Sequence, residues 1–322
     1  MKAISIFSGG LDSILAAILI KQSGIEVLPV FFSTPFFTPE KARESAEKNN
    51  LPLKVVDITE KYFPLLEKPK HGFGGNMNPC IDCHALMLKI AGNILDSENA
   101  DFLISGEVLG QRPMSQTRGS LFKVENESTM KGLVLRPLSA KLLPKTIPEL
   151  NGWVKEKSLL AISGRSRKPQ IELAGRLNVR HYPAPAGGCL LTDPIFSRRL
   201  KDLMDNSPAL KRNEIELLKL GRHFRITPDT KIVVGRNMEE NEKILGLAGE
   251  GGYTLNTITV PGPVVYVSGE RSGDMDMLAS SITAAYSDVN KGEIDLAVNC
   301  NGRSELIRAC YRDKSEFSSY MV

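Results

Sequence analysis

The string Ser8-Gly9-Gly10-Leu11-Asp12-Ser13 limits what this chain can fold into more than any other feature. It follows the β-prone run Ala3-Ile4-Ser5-Ile6-Phe7 and precedes Ile14, Leu15, Ile18 and Leu19, which recur at helical spacing. A glycine pair between a strand and a helix lets backbone N–H groups converge on an anion, and the helix N-terminus adds its partial positive charge. Ser8 and Ser13 add hydroxyls, and Asp12 in the first helical turn is placed to hold Mg²⁺ or to cap the helix. An ordinary strand-to-helix turn with an aspartate cap is the plainer reading of the same letters.

The next 130 residues repeat the alternation. Strands are predicted at residues 26–32, 53–58, 102–105 and 134–135, with helices at about 38–48 and 79–95 between them. That order predicts an α/β fold, a doubly wound parallel sheet whose carboxyl edge binds ligands. Ser105 and Gly106 lie at that edge, at the head of the polar stretch 105–116, where Arg112 is a candidate to meet a phosphate and Glu107 a metal or a ribose; a polar surface loop is the plainer reading. From about residue 153 the pattern turns helical and basic, and from about 229 a small α+β region with strands at 231–234, 264–267 and 295–298 is expected. Three domains follow: 1–152, 153–228 and 229–322.

Asn78-Pro79-Cys80-Ile81-Asp82-Cys83-His84 places a C-x-x-C at a predicted helix start, with Asn78 as cap and Pro79 as first helical residue. Both thiols then share a face, and the helix N-terminus is expected to make them more acidic than a free cysteine. Cys189 follows Gly187-Gly188, which permit close backbone approach. Five cysteines, an odd number, in a chain with no export signal do not describe a disulfide framework, so catalysis, metal binding or packing is their expected use.

The loop string, in its place after the first strand, resembles the PP-loop of the ATP pyrophosphatase (adenine nucleotide α-hydrolase-like) superfamily. It lacks the Gly-Lys-Ser/Thr ending of a Walker A loop. The resemblance implies that Ser8, Gly9, Gly10, Leu11, Asp12 and Ser13 hold the pyrophosphate end of ATP while the α phosphate is attacked. Backbone groups after the second strand, at Phe31, Phe32 and Ser33, would hold adenine.

With the cysteines added, the chain resembles tRNA thiouridine synthetases, the 2-thiouridylases and 4-thiouridine synthetases. Cys83 matches a catalytic cysteine of the 2-thiouridylases, with Cys80 standing where they have aspartate, and Cys189 matches a second essential one. Leu135-Arg136-Pro137-Leu138-Ser139-Ala140-Lys141 looks like their turn near the nucleotide. The resemblance implies a transferase that adenylates a uridine carbonyl oxygen, releases pyrophosphate, then installs sulfur and releases AMP. ATP, Mg²⁺, tRNA and a sulfur donor are the implied cofactors and partners, with Asp12, Cys83 and Cys189 catalytic. A C-x-x-C with one distant cysteine also resembles PP-loop thiolases that carry a [4Fe-4S] cluster, here on Cys80, Cys83 and Cys189. Zinc with His71 or His84 as a further ligand is a third arrangement.

Arginines are dense between residues 165 and 225, and Arg165, Arg167 and Lys168 form the tightest patch. A solvated helix face is the default for such a run; an RNA substrate would give it phosphate-binding work. The stretch from Val233 to Ser287, with Gly235-Arg236-Asn237 at its head, resembles the NFACT RNA-binding domain, implying RNA contact by Arg236 and Asn237. The net charge of +4 suits a polyanionic partner without requiring one. No apolar run reaches the length of a membrane span, so a cytoplasmic chain is expected. Two other functions stay open: a PP-loop ligase or amidotransferase acting on a small molecule, and an RNA-binding quality-control protein switched by ATP. ATP turnover that depends on tRNA and sulfide separates the sulfurtransferase from both. The modified position, the sulfur donor and the oligomeric state are not legible.

Overall fold

The computed structural model describes residues 1–184, 189–249 and 251–322, and these form two compact units, Met1–Thr192 and Asp193–Val322. The basic stretch 153–228, expected as one region, is divided between them.

In the first unit, strands β1 (Lys2–Ile6), β2 (Glu26–Ser33), β3 (Lys54–Asp57), β4 (Phe102–Ser105) and β5 (Val134–Leu135) form a parallel sheet in the order β3-β2-β1-β4-β5. The order reverses at β1, so the β1–α1 loop sits at the switch point of a doubly wound sheet. The expected parallel α/β fold is present. Helices α1 (Leu11–Gln22), α2 (Glu40–Lys48), α3 (Thr59–Glu67), α4 (Cys80–Asn93), α5 (Arg118–Glu127), α6 (Ile147–Leu150) and α7 (Lys168–Arg176) accompany it. Helix α1 is apolar around most of its circumference, because Leu11, Ile14, Leu15, Ala16, Ala17 and Ile20 are all buried against the sheet and its neighbours. α3 contains Pro64, and α5 is mostly polar on its exposed face, so neither gave a clear periodic signal.

The second unit contains α8 (Pro194–Asn206), α9 (Arg212–Leu218), β6 (Arg222–Thr227), β7 (Thr230–Val234), α10 (Met238–Leu247), β8 (Gly252–Thr257), β9 (Val264–Ser268), α11 (Gly273–Ala285), β10 (Glu293–Cys300) and β11 (Arg303–Cys310). Its six strands form an antiparallel sheet in the order β11-β10-β8-β9-β7-β6. One sheet face packs Phe224, Ile232, Val265 and Val267 against Ala279, Ile282 and Ala285 of α11. The other packs Val233 and Tyr266 against Leu217 of α9 and Ile244 of α10. β11 is an edge strand exposed along most of its length and rich in charge, which is why alternating hydrophobicity did not reveal it. Among the described residues no helix is long and apolar enough to cross a membrane.

Candidate functional site: a phosphate cradle and three cysteines

Gly9 has φ of +75°, and a Cβ there would lie 2.8 Å from the Ala42 Cα, so only glycine fits on both counts. Gly10 is the N-cap of α1 and supplies no side-chain cap, which leaves the first-turn N–H groups facing outward. Ser13 Oγ donates to the Gly10 carbonyl at 2.8 Å, Ser8 Oγ lies 3.3 Å from Ser13 Oγ, and the Gly10 N–H donates to Ser8 Oγ at 3.3 Å. Ser45 Oγ of α2 donates to the Gly9 carbonyl at 2.9 Å. The loop is thus held in an anion-binding shape by its own hydroxyls and by a neighbouring helix.

Gly106 closes the other side. A Cβ on it would sit 2.7 Å from both N and Cα of Ser13, so the end of β4 passes directly against the first turn of α1. Ser105, paired with Ile6, and β2 through Phe32 and Ser33 complete the carboxyl edge around the loop. Phe32 is buried, and the Ser33 carbonyl accepts from the Ile58 N–H at 3.0 Å.

Asp12 Oδ2 accepts from Gln111 Nε2 at 2.8 Å, and Gln111 Oε1 accepts from Gln170 Nε2 at 3.2 Å. Asp12 Oδ1 is buried with no partner, an acceptor available to a cation at the mouth of the cradle. Sequence reasoning missed both glutamines: Gln111 lay unremarked inside the strand-end string, and nothing in the local letters brings Gln170, on α7, to this place.

Glu107 is expected from the sequence to meet a metal or a ribose. It instead accepts from Arg136 Nε at 3.0 Å and Ser105 Oγ at 3.1 Å, and pairs with His84 Nδ1 at 2.9 Å. Arg136 reaches Glu125 as well, at 3.0 Å. Burial works to raise the Glu107 pKa, but Arg136 and His84 together outweigh it and hold the group at about 2. The network is a buried clamp that joins α4, α5 and the ends of β4 and β5, not an open ligand set.

The three cysteines approach one another in the first unit. Helix α4 begins at Cys80, with Pro79 as its N-cap, one residue later than the capping pattern predicted. Asn78 does not cap it; its Nδ2 donates to Cys80 Sγ at 3.2 Å. Asn76 Nδ2 donates to the Thr192 carbonyl at 2.8 Å, and both the N–H and the hydroxyl of Thr192 bond the Cys189 carbonyl. These bonds tie the Cys189 turn to the loop leading into α4. Gly187 and Gly188, expected to permit the approach, lie outside the described residues.

Cys83 is not activated in the way the helix N-terminus suggested. Burial, and then the proximity of Cys189, push the Cys83 thiol far up despite a hydrogen bond from the buried Tyr62 hydroxyl. Cys189 is pushed up to about 11, chiefly by burial, with Arg112 opposing. At Cys83, desolvation and the neighbouring thiol outweigh the helix dipole. Among the described residues no three His, Cys, Asp or Glu side chains form a group that could hold a metal. His84, a further zinc ligand in the expected arrangement, is engaged by Glu107.

The basic patch lies next to this site. The Gly164 N–H donates to the Leu109 carbonyl at 2.8 Å, and Ser139 Oγ bridges the Leu109 N–H and the Ile162 carbonyl. Arg165 and Lys168 are exposed and Arg167 is half-buried beside the 105–116 loop. The later arginines behave differently. Arg199 donates to the Leu218 and Gly221 carbonyls, and Arg225 forks onto Asp202. Arg236 is ion-paired with Glu240, and Asn237 caps α10, so both serve the local fold.

Residues 1–141 match the family model described as thiamine biosynthesis protein (ThiI), and residues 221–321 match that of the NFACT protein RNA binding domain. A probable tRNA sulfurtransferase of Thermoanaerobacter sp. (strain X514) is 33% identical over 146 residues, 42% of this chain and 36% of that relative. Another, of Lachnospira eligens, is 30% identical over 146 residues, 42% of this chain and 35% of the relative. The chain thus spans little more than a third of the length of these relatives. A solved 4-thiouridine synthetase–RNA complex with bound ATP aligns at a TM-score of 0.37 and 22% identity, covering 64% of this chain and 50% of that one. Residues 1–141 are thus similar to the ThiI family and residues 221–321 to the NFACT RNA-binding domain.

Proposed function

We propose that this chain is an ATP-dependent tRNA sulfurtransferase. The observation that carries the reading is the meeting of the Cys189 turn with the loop before Cys80 and Cys83, in the same unit as the phosphate cradle. The names of the curated relatives support the same substrate class.

The α1 N-terminus and the Ser8 and Ser13 hydroxyls bind the pyrophosphate end of ATP, while Phe32 and Ser33 flank the adenine. Asp12 Oδ1 would hold Mg²⁺, which offsets phosphate charge. A uridine carbonyl oxygen attacks the α phosphorus, and pyrophosphate leaves with the electron pair of the broken P–O bond. A persulfide on one cysteine, loaded by an external donor, then attacks the activated carbon and AMP departs. The second thiol attacks the cysteine sulfur of the resulting C–S–S link, which forms a Cys83–Cys189 disulfide and frees the thiocarbonyl. An external dithiol reduces that disulfide to two thiols, becoming a disulfide itself, before the next cycle. Arg165, Arg167 and Lys168 hold tRNA phosphates at the rim.

The test is ATP turnover with unmodified tRNA and a persulfide donor, read as AMP, pyrophosphate and a thiolated nucleoside by mass spectrometry. ADP and orthophosphate as direct products, or turnover indifferent to tRNA, would overturn the reading.

A further inference from the structure

Residues 68–79 join α3 to α4, and the middle of this loop is glycine-rich, with Gly72, Gly74 and Gly75 around Phe73. Phe73 is 37% exposed, and among the described residues it is the only exposed large hydrophobic side chain between Lys2 and Pro113. A lone exposed ring on a loose loop is ordinary. This loop is pinned on both sides of the ring. Before it, Lys70 Nζ pairs with Glu127 Oε1 at 2.7 Å, and the His71 N–H donates to Asp82 Oδ2 at 2.9 Å. After it, the Gly74 N–H donates to the Asn78 carbonyl at 2.9 Å, the Asn76 N–H to Asn78 Oδ1 at 3.1 Å, and Asn76 Nδ2 to the Thr192 carbonyl at 2.8 Å. Gly74 packs so closely that a Cβ on it would meet the Asn78 side-chain amide.

The anchors are the segments that carry the cysteines. Asp82 lies in the first turn of α4, between Cys80 and Cys83, Asn78 Nδ2 donates to Cys80 Sγ, and Thr192 closes the Cys189 turn. The ring is therefore held in place with respect to both cysteine segments. Its glycine neighbours have no side chains to cover it, so part of a planar apolar surface stays in water without the stabilisation that burial would bring.

A protein partner would need a contiguous apolar patch, which one ring among glycines, with Lys68 and Lys70 exposed beside it, does not make. A nucleobase needs a single planar face, and unpaired bases of RNA are commonly held on aromatic side chains. Chemistry at a uridine carbonyl carbon also draws that base out of its stack, which leaves the adjoining base without a stacking partner. We propose that Phe73 is the stacking platform for the base adjoining the thiolated uridine. The inference rests on the sulfurtransferase reading and adds to it a contact made through the face of a base rather than through phosphate.

The experiment compares the native full chain with Phe73→Leu and Phe73→Trp, using unmodified tRNA. Phe73→Leu keeps an apolar side chain but removes the aromatic face, and is expected to weaken tRNA binding about tenfold while the affinity for an ATP analogue and the melting temperature hold. Phe73→Trp is expected to bind tRNA within about threefold of the native chain, because an indole stacks as well as a phenyl ring. The native chain has Trp153 alone, so the emission of the added indole is obtained by difference. That emission is expected to be quenched when tRNA binds. Unchanged tRNA affinity in Phe73→Leu, or an indole whose emission tRNA leaves unaltered, overturns the proposal. So does a Phe73→Leu chain that binds tRNA normally and loses sulfur transfer only from a protein persulfide donor, since the ring would then serve that donor. A native chain that binds no tRNA sinks the sulfurtransferase reading itself, whereas a native chain that binds and thiolates tRNA while both Phe73 readouts stay silent sinks this inference alone.

Discussion

Gln111 Nε2 donates to Asp12 Oδ2 at 2.8 Å while Asp12 Oδ1 stays buried and unpartnered. The amide fixes one carboxylate oxygen and leaves the other aimed at whatever the cradle binds. Gln170, fully buried, in turn orients Gln111. Asp12→Asn is expected to abolish AMP formation in a folded protein. Gln111→Leu is expected to lower kcat roughly tenfold to a hundredfold, since misplacing a positioned group carries that scale of loss. Unaltered kcat in Gln111→Leu would show that the hydrogen bond has no part in turnover.

Gly106→Ala is a purely geometric perturbation. The new methyl would meet the Ser13 backbone at 2.7 Å, and backbone on both sides cannot yield as a flexible side chain does. ATP affinity is expected to fall by roughly tenfold or more as the first turn of α1 is displaced, with a stability loss of about 1–3 kcal/mol from overpacking. Fluorescence titration with an ATP analogue and thermal melting read the two effects separately.

Glu107 gives a pH signature. Its folded pKa, about 2, lies below the unfolded carboxylate value of about 4.3, so its contribution is fully present above that unfolded value. It is lost as pH falls through the window from roughly 4.3 to 2. Glu107→Gln should flatten the loss of stability over that window and destabilise the protein at pH 7, because Arg136 keeps only Glu125 as a partner. Urea melts at a series of pH values measure it; parallel curves for the two proteins would remove Glu107 from the acid transition.

Cys189, pushed up to about 11, should react slowly with iodoacetamide at pH 8. Roughly one to two orders of magnitude below a free cysteine is expected, with the rate rising as pH increases. Cys83, buried under Tyr62, should react more slowly still, and Tyr62→Phe should leave the thiol harder to ionise. Peptide mapping after timed alkylation resolves the sites. Fast labelling of Cys83 at neutral pH would contradict the burial argument.

The double change Arg165→Ala plus Arg167→Ala should weaken tRNA binding and reduce the steepness of its salt dependence by roughly one to two lost phosphate contacts. Arg225→Ala should act mainly on stability, because it leaves Asp202 with Lys231 alone. Filter binding across a salt series, with melting curves, distinguishes the two classes of arginine.

The letters by themselves determined the parallel sheet and its phosphate loop. Strand, glycine pair and helix are all local: apolar runs of fixed period, and backbone freedom at Gly9 and Gly10, act over a few residues and are written consecutively. The C-x-x-C was legible for the same reason. The tertiary structure decided what lies across the sheet edge. Gln170 reaches Gln111, the partner of Asp12, only because α7 packs beside α1; Tyr62 covers Cys83 only because α3 packs on α4; and Glu107 turned from candidate ligand into clamp once Arg136 and His84 closed on it. The acidity expected of Cys83 failed on the same ground. A helix start can be read from sequence, but burial and the approach of another thiol from more than a hundred residues away cannot, and at Cys83 desolvation is the larger effect.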